Sequence, residues 1–229
     1  MDQQLSEKLE RVRAHLEARE KEAGMDTSTN DQKRPQNKQE ALGALFQSRV
    51  PERYWVCRPE HVPELGSILY ANLDTGVFFQ GEPGTGKTYA ATALAWRYID
   101  AKSEPQVHPI HGHPIYAPKT LTWVPSTELL YRIRSTYNRK TGETYRDIID
   151  EMTQASVLVL DDLGAEKTTD HAAEVLYAII SGRINHCRFT IVTTNMTFGD
   201  IEAWKPSIAS RLAGMVRVDL PNVDRRLSQ

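Results

Sequence analysis

The apolar residues of this chain fall into three regimes along its length. Residues 1–24 are charged throughout and carry a single narrow apolar seam. Leu5, Leu9, Val12 and Leu16 step by 4, 3 and 4, which puts them on one stripe of a helix. Glu7, Glu10, Arg11, Arg13, Glu17, Arg19 and Glu20 supply its polar faces. A seam this narrow buries too little surface to hold a helix alone, so the helix gains by docking, either on its own domain or on a partner. From Gly24 to Gln39 the composition changes to Asp, Thr, Ser, Asn, Gln, Lys and Pro with almost nothing apolar, the signature of a linker. The expected organisation is a partner-binding helix over 1–24, a flexible linker over 25–44 and a folded domain over 45–229.

Within that domain the pattern alternates between short apolar runs and longer helical periods. Val77-Phe78-Phe79-Gln80 predicts a buried strand, and an Ala-rich helix follows from Gly86 to about Lys102. Leu121-Thr122-Trp123-Val124 predicts a second strand, with helical stretches near 126–137 and 143–154 after it. Val157-Leu158-Val159-Leu160 is continuously apolar, as a strand covered on both faces should be. A helix over 170–185 and a strand over Phe189-Thr190-Ile191-Val192-Thr193-Thr194 complete the series. Strands alternating with helices imply an α/β fold: a central parallel sheet flanked by helices.

Composition narrows the function. The 229 residues are 40% hydrophobic and 25% charged, with a net charge of −2, which suits one globular domain and excludes a globally basic nucleic-acid coat. Any contact with DNA must come from a local patch. No run reaches the length of a membrane span, and Met1-Asp2-Gln3-Gln4 does not open a signal peptide. The expectation is a cytoplasmic protein with no membrane partner. Two cysteines, Cys57 and Cys187, cannot build a disulfide framework or a four-thiolate zinc site. His108, His111 and His113 invite a metal reading, but Pro109, Gly112 and Pro114 favour a loop, and no acidic or thiol ligand adjoins them.

The chemistry concentrates at strand ends. Gly81-Glu82-Pro83-Gly84-Thr85-Gly86-Lys87-Thr88 sits between a strand and a helix and satisfies the phosphate-loop pattern. The glycines let successive N–H groups turn inward toward phosphate oxygens, and the following helix adds its positive end. Lys87 is the candidate for the β- and γ-phosphates and Thr88 for magnesium. Asp161 and Asp162 end the Val157–Leu160 strand. Asp161 is placed to hold magnesium, and Asp162 to orient and deprotonate a water. Asn195, after Thr193 and Thr194, is the candidate contact to the γ-phosphate or that water. Arg211, in Ile208-Ala209-Ser210-Arg211-Leu212, is either an internal ion-pair partner or a finger reaching a neighbouring subunit's nucleotide.

These elements, in this order, resemble an AAA+ ATPase, and more closely the DnaC/DnaI/IstB group of helicase loaders and transposition helpers. Gly81 to Thr88, Val157 to Lys167, Thr190 to Asn195, Ser210-Arg211-Leu212 and Asp224-Arg225-Arg226 carry the likeness. Val50-Pro51-Glu52-Arg53-Tyr54 is similar to the segment that lines the base pocket in the group, which would make Tyr54 a nucleotide contact. The resemblance implies an AAA+ P-loop domain, ATP with Mg2+ as cofactor, and self-assembly with Arg211 acting in trans; because few residues follow Arg226, the expectation is a domain without the separate C-terminal lid of many AAA+ proteins. Arg225 or Arg226 would act as a second sensor. It implies a hexameric replicative helicase and single-stranded DNA as partners, with Arg132, Arg134 and Tyr137 as the DNA contact. A transposition helper of the IstB kind and a nucleotide-gated adaptor that does not hydrolyse ATP are the alternatives; a small-molecule kinase would leave Asn195 and Arg211 without a task.

Overall fold

The computed structural model describes residues 37–62, 65–66, 76–104, 106–107, 114–115, 119–137, 142–165, 169–221 and 223. The expected helix over 1–24, the His108–His113 stretch and Arg225 and Arg226 lie outside these residues.

Five parallel strands form the central sheet: β1 (Gly76–Gln80), β4 (Leu121–Pro125), β5 (Val157–Leu163), β6 (Phe189–Thr194) and β7 (Val216–Asp219). Their order is β4-β5-β6-β1-β7. A two-residue ribbon, β2 (Gln106–Val107) with β3 (Pro114–Ile115), lies apart from it. The helices are α1 (Lys38–Arg49), α2 (Lys87–Lys102), α3 (Ser126–Tyr137), α4 (Tyr145–Gln154), α5 (Asp170–Asn185), α6 (Phe198–Trp204) and α7 (Pro206–Leu212).

Strand side chains alternate between two cores. Val77, Phe79, Val157, Val159 and Ile191 pack with Leu42 and Phe46 of α1 and Ala91, Leu94 and Ile99 of α2. Phe78, Leu158, Leu160 and Val192 pack with the apolar faces of α3 to α7, including Leu129, Met152, Leu176, Ile201 and Ile208. Coverage on both faces is why these strands read as continuous apolar runs rather than alternating ones.

Local signals set the element ends. Thr144 and Asp147 form a capping box at α4, and Thr197 and Asp200 form another at α6. Two expectations change. Residues 38–44, expected as linker, belong to α1, where the Asn37 side chain accepts from the Glu40 N–H at 3.0 Å and Ala41 and Leu42 are buried. The polar composition up to Gln39 masked this helix because it buries only a few apolar residues. Strand β7, of four residues, and the seven-residue helices α6 and α7, about two turns each, were too short to stand out as periodic.

Chain order places the site. After β1 the chain crosses to the far edge at β4, steps back through β5 and β6, and passes over β1 to β7. β1 is therefore flanked by strands from a later part of the chain, and the carboxyl ends of β1, β5 and β6 open onto one crevice, where open α/β sheets bind ligands.

Candidate active site

The loop after β1 owes its shape to its glycines. Gly84 and Gly86 adopt φ of +88° and +90°, and at Gly81 an added Cβ would come within 3.3 Å of the Leu220 carbonyl. Thr85 Oγ1 donates to the Glu82 carbonyl at 2.9 Å and closes the turn. Lys87, 6% exposed, donates from Nζ to the Gly81 and Glu82 carbonyls at 2.9 and 2.7 Å, so its ammonium is already inside the loop that would hold phosphates.

The acidic pair is set by a bulge. Leu160 pairs with Val192, and the next pairing is Leu163 with Thr194, so β5 carries one extra residue there. Asp162 takes up the irregularity with φ of +55°. Three contacts hold it there. Its N–H donates to Thr193 Oγ1 at 2.9 Å, its carbonyl accepts from Ser126 Oγ at 2.6 Å, and its Oδ1 accepts from Asn195 Nδ2 at 3.0 Å. A left-handed aspartate costs on the order of 1 kcal/mol, and strain of this kind persists where the surroundings hold it.

Asp161 has the opposite environment. It is buried, and its carboxylate accepts from Thr193 Oγ1 at 2.6 Å and from Thr88 Oγ1 at 3.2 Å. Burial raises its pKa, against the lowering by those hydroxyls. A carboxylate and a hydroxyl, both hard oxygen donors, converging at the end of the phosphate loop fit Mg2+.

A cleft of about 1020 Å³ joins these groups; its lining includes Pro83, Gly84, Gly86, Lys87, Thr88, Asp161, Asp162 and Asn195. Arg53, Tyr54, Val56, His61 and Tyr89 complete the wall. The sequence-predicted nucleotide residues are thus brought into one space. Glu82 and Thr85 take part through the loop, Glu82 by its carbonyl. Tyr54 sits differently from the base-pocket expectation: its phenol lies beside Thr88 and Asp161, at the metal end of the cleft, and burial raises its pKa. Tyr89 and His61, which hydrogen-bond each other at 2.9 Å, were not foreseen, nor was Ser126.

Other candidates lie elsewhere. Arg211 is on α7, outside its own cleft lining, with Nη2 3.5 Å from the Tyr177 hydroxyl. Arg132, expected on DNA, is instead half-buried between α3 and α4, paired with Glu143 at 2.5 Å and Glu151 at 2.6 Å. Two carboxylates neutralise it, which removes the charge that would attract a phosphate. Arg134 is exposed, and Tyr137, 56% exposed, hydrogen-bonds His171 at 2.5 Å. Among the described residues no group of three or more His, Cys, Asp or Glu is arranged to hold a metal, and no helix is long and apolar enough to cross a membrane. Cys57 is buried, which pushes its thiol up to about 12, and Cys187 is exposed.

Comparison with known proteins agrees with this geometry. Residues 77–220 match the model of the ATPase family associated with various cellular activities (AAA). The chain is 21% identical over 140 residues to the replicative helicase loader DnaC of Buchnera aphidicola subsp. Acyrthosiphon pisum, covering 61% of this chain and 49% of that one. It is 24% identical over 139 residues to the insertion sequence IS21 putative ATP-binding protein of Pseudomonas aeruginosa, covering 61% and 45%. The chain thus spans about half the length of these curated relatives. The crystal structure of the DnaC helicase loader superposes with a TM-score of 0.56 at 20% identity, over 74% of this chain and 99% of that one, a likeness of fold. With a family match from β1 to Leu220 and the phosphate loop, acidic pair and Asn195 gathered in one cleft, this chain belongs to the AAA ATPase family.

Proposed function

We propose that the protein is an ATP-hydrolysing loader that delivers a hexameric replicative helicase onto single-stranded DNA. The observation that carries the ATPase part is the Asp162–Asn195 hydrogen bond in the same cleft as Lys87 and Thr88. Lys87 and the loop N–H groups bind the triphosphate. Magnesium at Thr88 and Asp161 would neutralise charge on the β- and γ-phosphates. Asp162 accepts the proton of the attacking water while Asn195 fixes the carboxylate and faces the γ-phosphate side. Such a water needs a base held in one orientation, and the three contacts on Asp162 meet that need.

Arg211 acts in trans on the nucleotide of a neighbouring subunit; its place outside its own cleft supports this role. ATP binding then favours the assembly that holds DNA, and hydrolysis releases the loader, since nucleotide shifts the assembly by binding one state better. Residues 1–24 grip the helicase, and Arg134 and Tyr137 contact the DNA. The loader role is favoured by the similarity to the protein named DnaC. The similarity to the IS21 ATP-binding protein favours a second reading, with the same ATPase and a transposase as partner.

Co-purification of the full chain with the cognate replicative helicase in the presence of ATP separates the two. A stable complex that is lost on removing residues 1–36 supports the loader. Absence of a complex with the full chain rejects it and moves the partner to a transposase.

A further inference from the structure

Arg53 is exposed at the centre of the turn Glu52–Tyr54, yet its neighbourhood is rigid. Trp55 Nε1 donates to the Val50 carbonyl at 2.7 Å. Arg58 donates to the Trp55 and Cys57 carbonyls at 2.7 and 2.9 Å and lies 3.8 Å over the Trp96 ring of α2. These contacts bind the segment 50–58 to the helix that follows the phosphate loop. The Arg53 guanidinium carbon lies 4.5 Å from the centre of the Tyr54 ring, and among the described residues it makes no hydrogen bond or ion pair. No described residue engages its N–H donors, while its guanidinium lies over an aromatic face.

The direction of the guanidinium follows from what surrounds it. Arg53 lines the cleft together with Lys87, Thr88, Asp161 and Asp162, and its charge is felt at Asp161. Its platform, Tyr54, lies beside Thr88 and Asp161. Arg53 therefore belongs to the metal and terminal-phosphate end. Two carboxylates occupy that end, and a triphosphate would add further negative charge, against which Lys87 and Arg53 are the lysine and arginine of the lining.

We infer that Arg53 is a cis-acting ligand of the terminal phosphate, a cation from the bound chain itself that distinguishes nucleoside triphosphate from diphosphate. This rests on the reading of the cleft as an ATP site. A charge-assisted N–H bond to a phosphate oxygen is about twice as strong as a neutral one, and the turn that carries Arg53 is preorganised.

The test is binding of a non-hydrolysable ATP analogue and of ADP, each with magnesium, to the full-length wild type, Arg53→Ala, Arg53→Lys and Lys87→Ala. Arg53→Ala should weaken the triphosphate analogue about tenfold and leave ADP within about twofold, with Arg53→Lys intermediate. Equal weakening of both nucleotides would assign Arg53 to the base or ribose and overturn the inference; unchanged affinity for both would overturn it as well. Failure of the ATP-site reading looks different, because wild type and Lys87→Ala would then bind neither nucleotide. Unaltered thermal melting of Arg53→Ala separates the effect from misfolding, as the side chain is exposed.

Discussion

Asn195 Nδ2 donates to Asp162 Oδ1 at 3.0 Å, joining the end of β6 to the bulge of β5. The two residues come from different strands and meet because β5 and β6 are neighbours in the sheet. Removing the amide frees the carboxylate to rotate. Asn195→Ala should lower steady-state ATP turnover by about 100-fold, and Asp162→Asn by at least as much. Nucleotide affinity, measured by fluorescence titration, should change less than about threefold in both. Turnover that survives Asp162→Asn would identify another base.

Asp161 gives a pH dependence with a definite sign. Burial raises its folded pKa above the ordinary aspartate value, so the folded chain takes up a proton more readily than the unfolded one. In the absence of nucleotide its charged form opposes folding. That penalty is absent below the unfolded pKa and accumulates as pH rises through the raised folded pKa. The melting temperature of wild type relative to Asp161→Asn should therefore fall as pH increases across that window. Magnesium-dependent nucleotide affinity should show the reverse trend, falling as acid protonates Asp161, and Asp161→Asn should abolish the magnesium requirement.

Arg183 is fully buried, and among the described residues no carboxylate contacts it. It donates to the carbonyls of Met152, Ala155 and Phe189 at 2.7 to 2.8 Å and to Thr190 Oγ1 at 2.9 Å, pinning the loop before β5 and the start of β6. Burial lowers its pKa, to about 9. Arg183→Met removes the donors and orphans these acceptors, which should cost about 3 kcal/mol in urea unfolding.

Arg132 and Arg134 should separate stability from DNA binding. Arg132→Ala breaks the link to Glu143 and Glu151 and should destabilise by about 1 kcal/mol without altering affinity for single-stranded DNA. Arg134→Ala with Tyr137→Ala should weaken that affinity and flatten its salt dependence. Unchanged binding of the double variant across a salt series would move the DNA surface elsewhere.

Arg211→Ala should bind ATP as wild type does, yet lose the turnover gained on self-assembly, read as ATPase rate against protein concentration. A rate that still rises with concentration would return Arg211 to an intramolecular role beside Tyr177.

Sequence by itself determined strands β1, β4, β5 and β6, helices α2 to α5 and the phosphate loop. These are local: apolar runs buried on both faces, glycines required by φ, and residues whose roles follow from spacing. It also identified Asp161, Asp162 and Asn195 as chemistry at strand ends. Only the tertiary structure decided how they meet, because strand order is set by crossovers and the bulge is defined by pairing with β6. The same holds for Arg132 and Tyr54. A basic residue and an aromatic announce their chemistry in sequence, but their partners, Glu143 and Glu151 for one and the Thr88–Asp161 end of the cleft for the other, lie on different elements. Those contacts exist only once the elements pack.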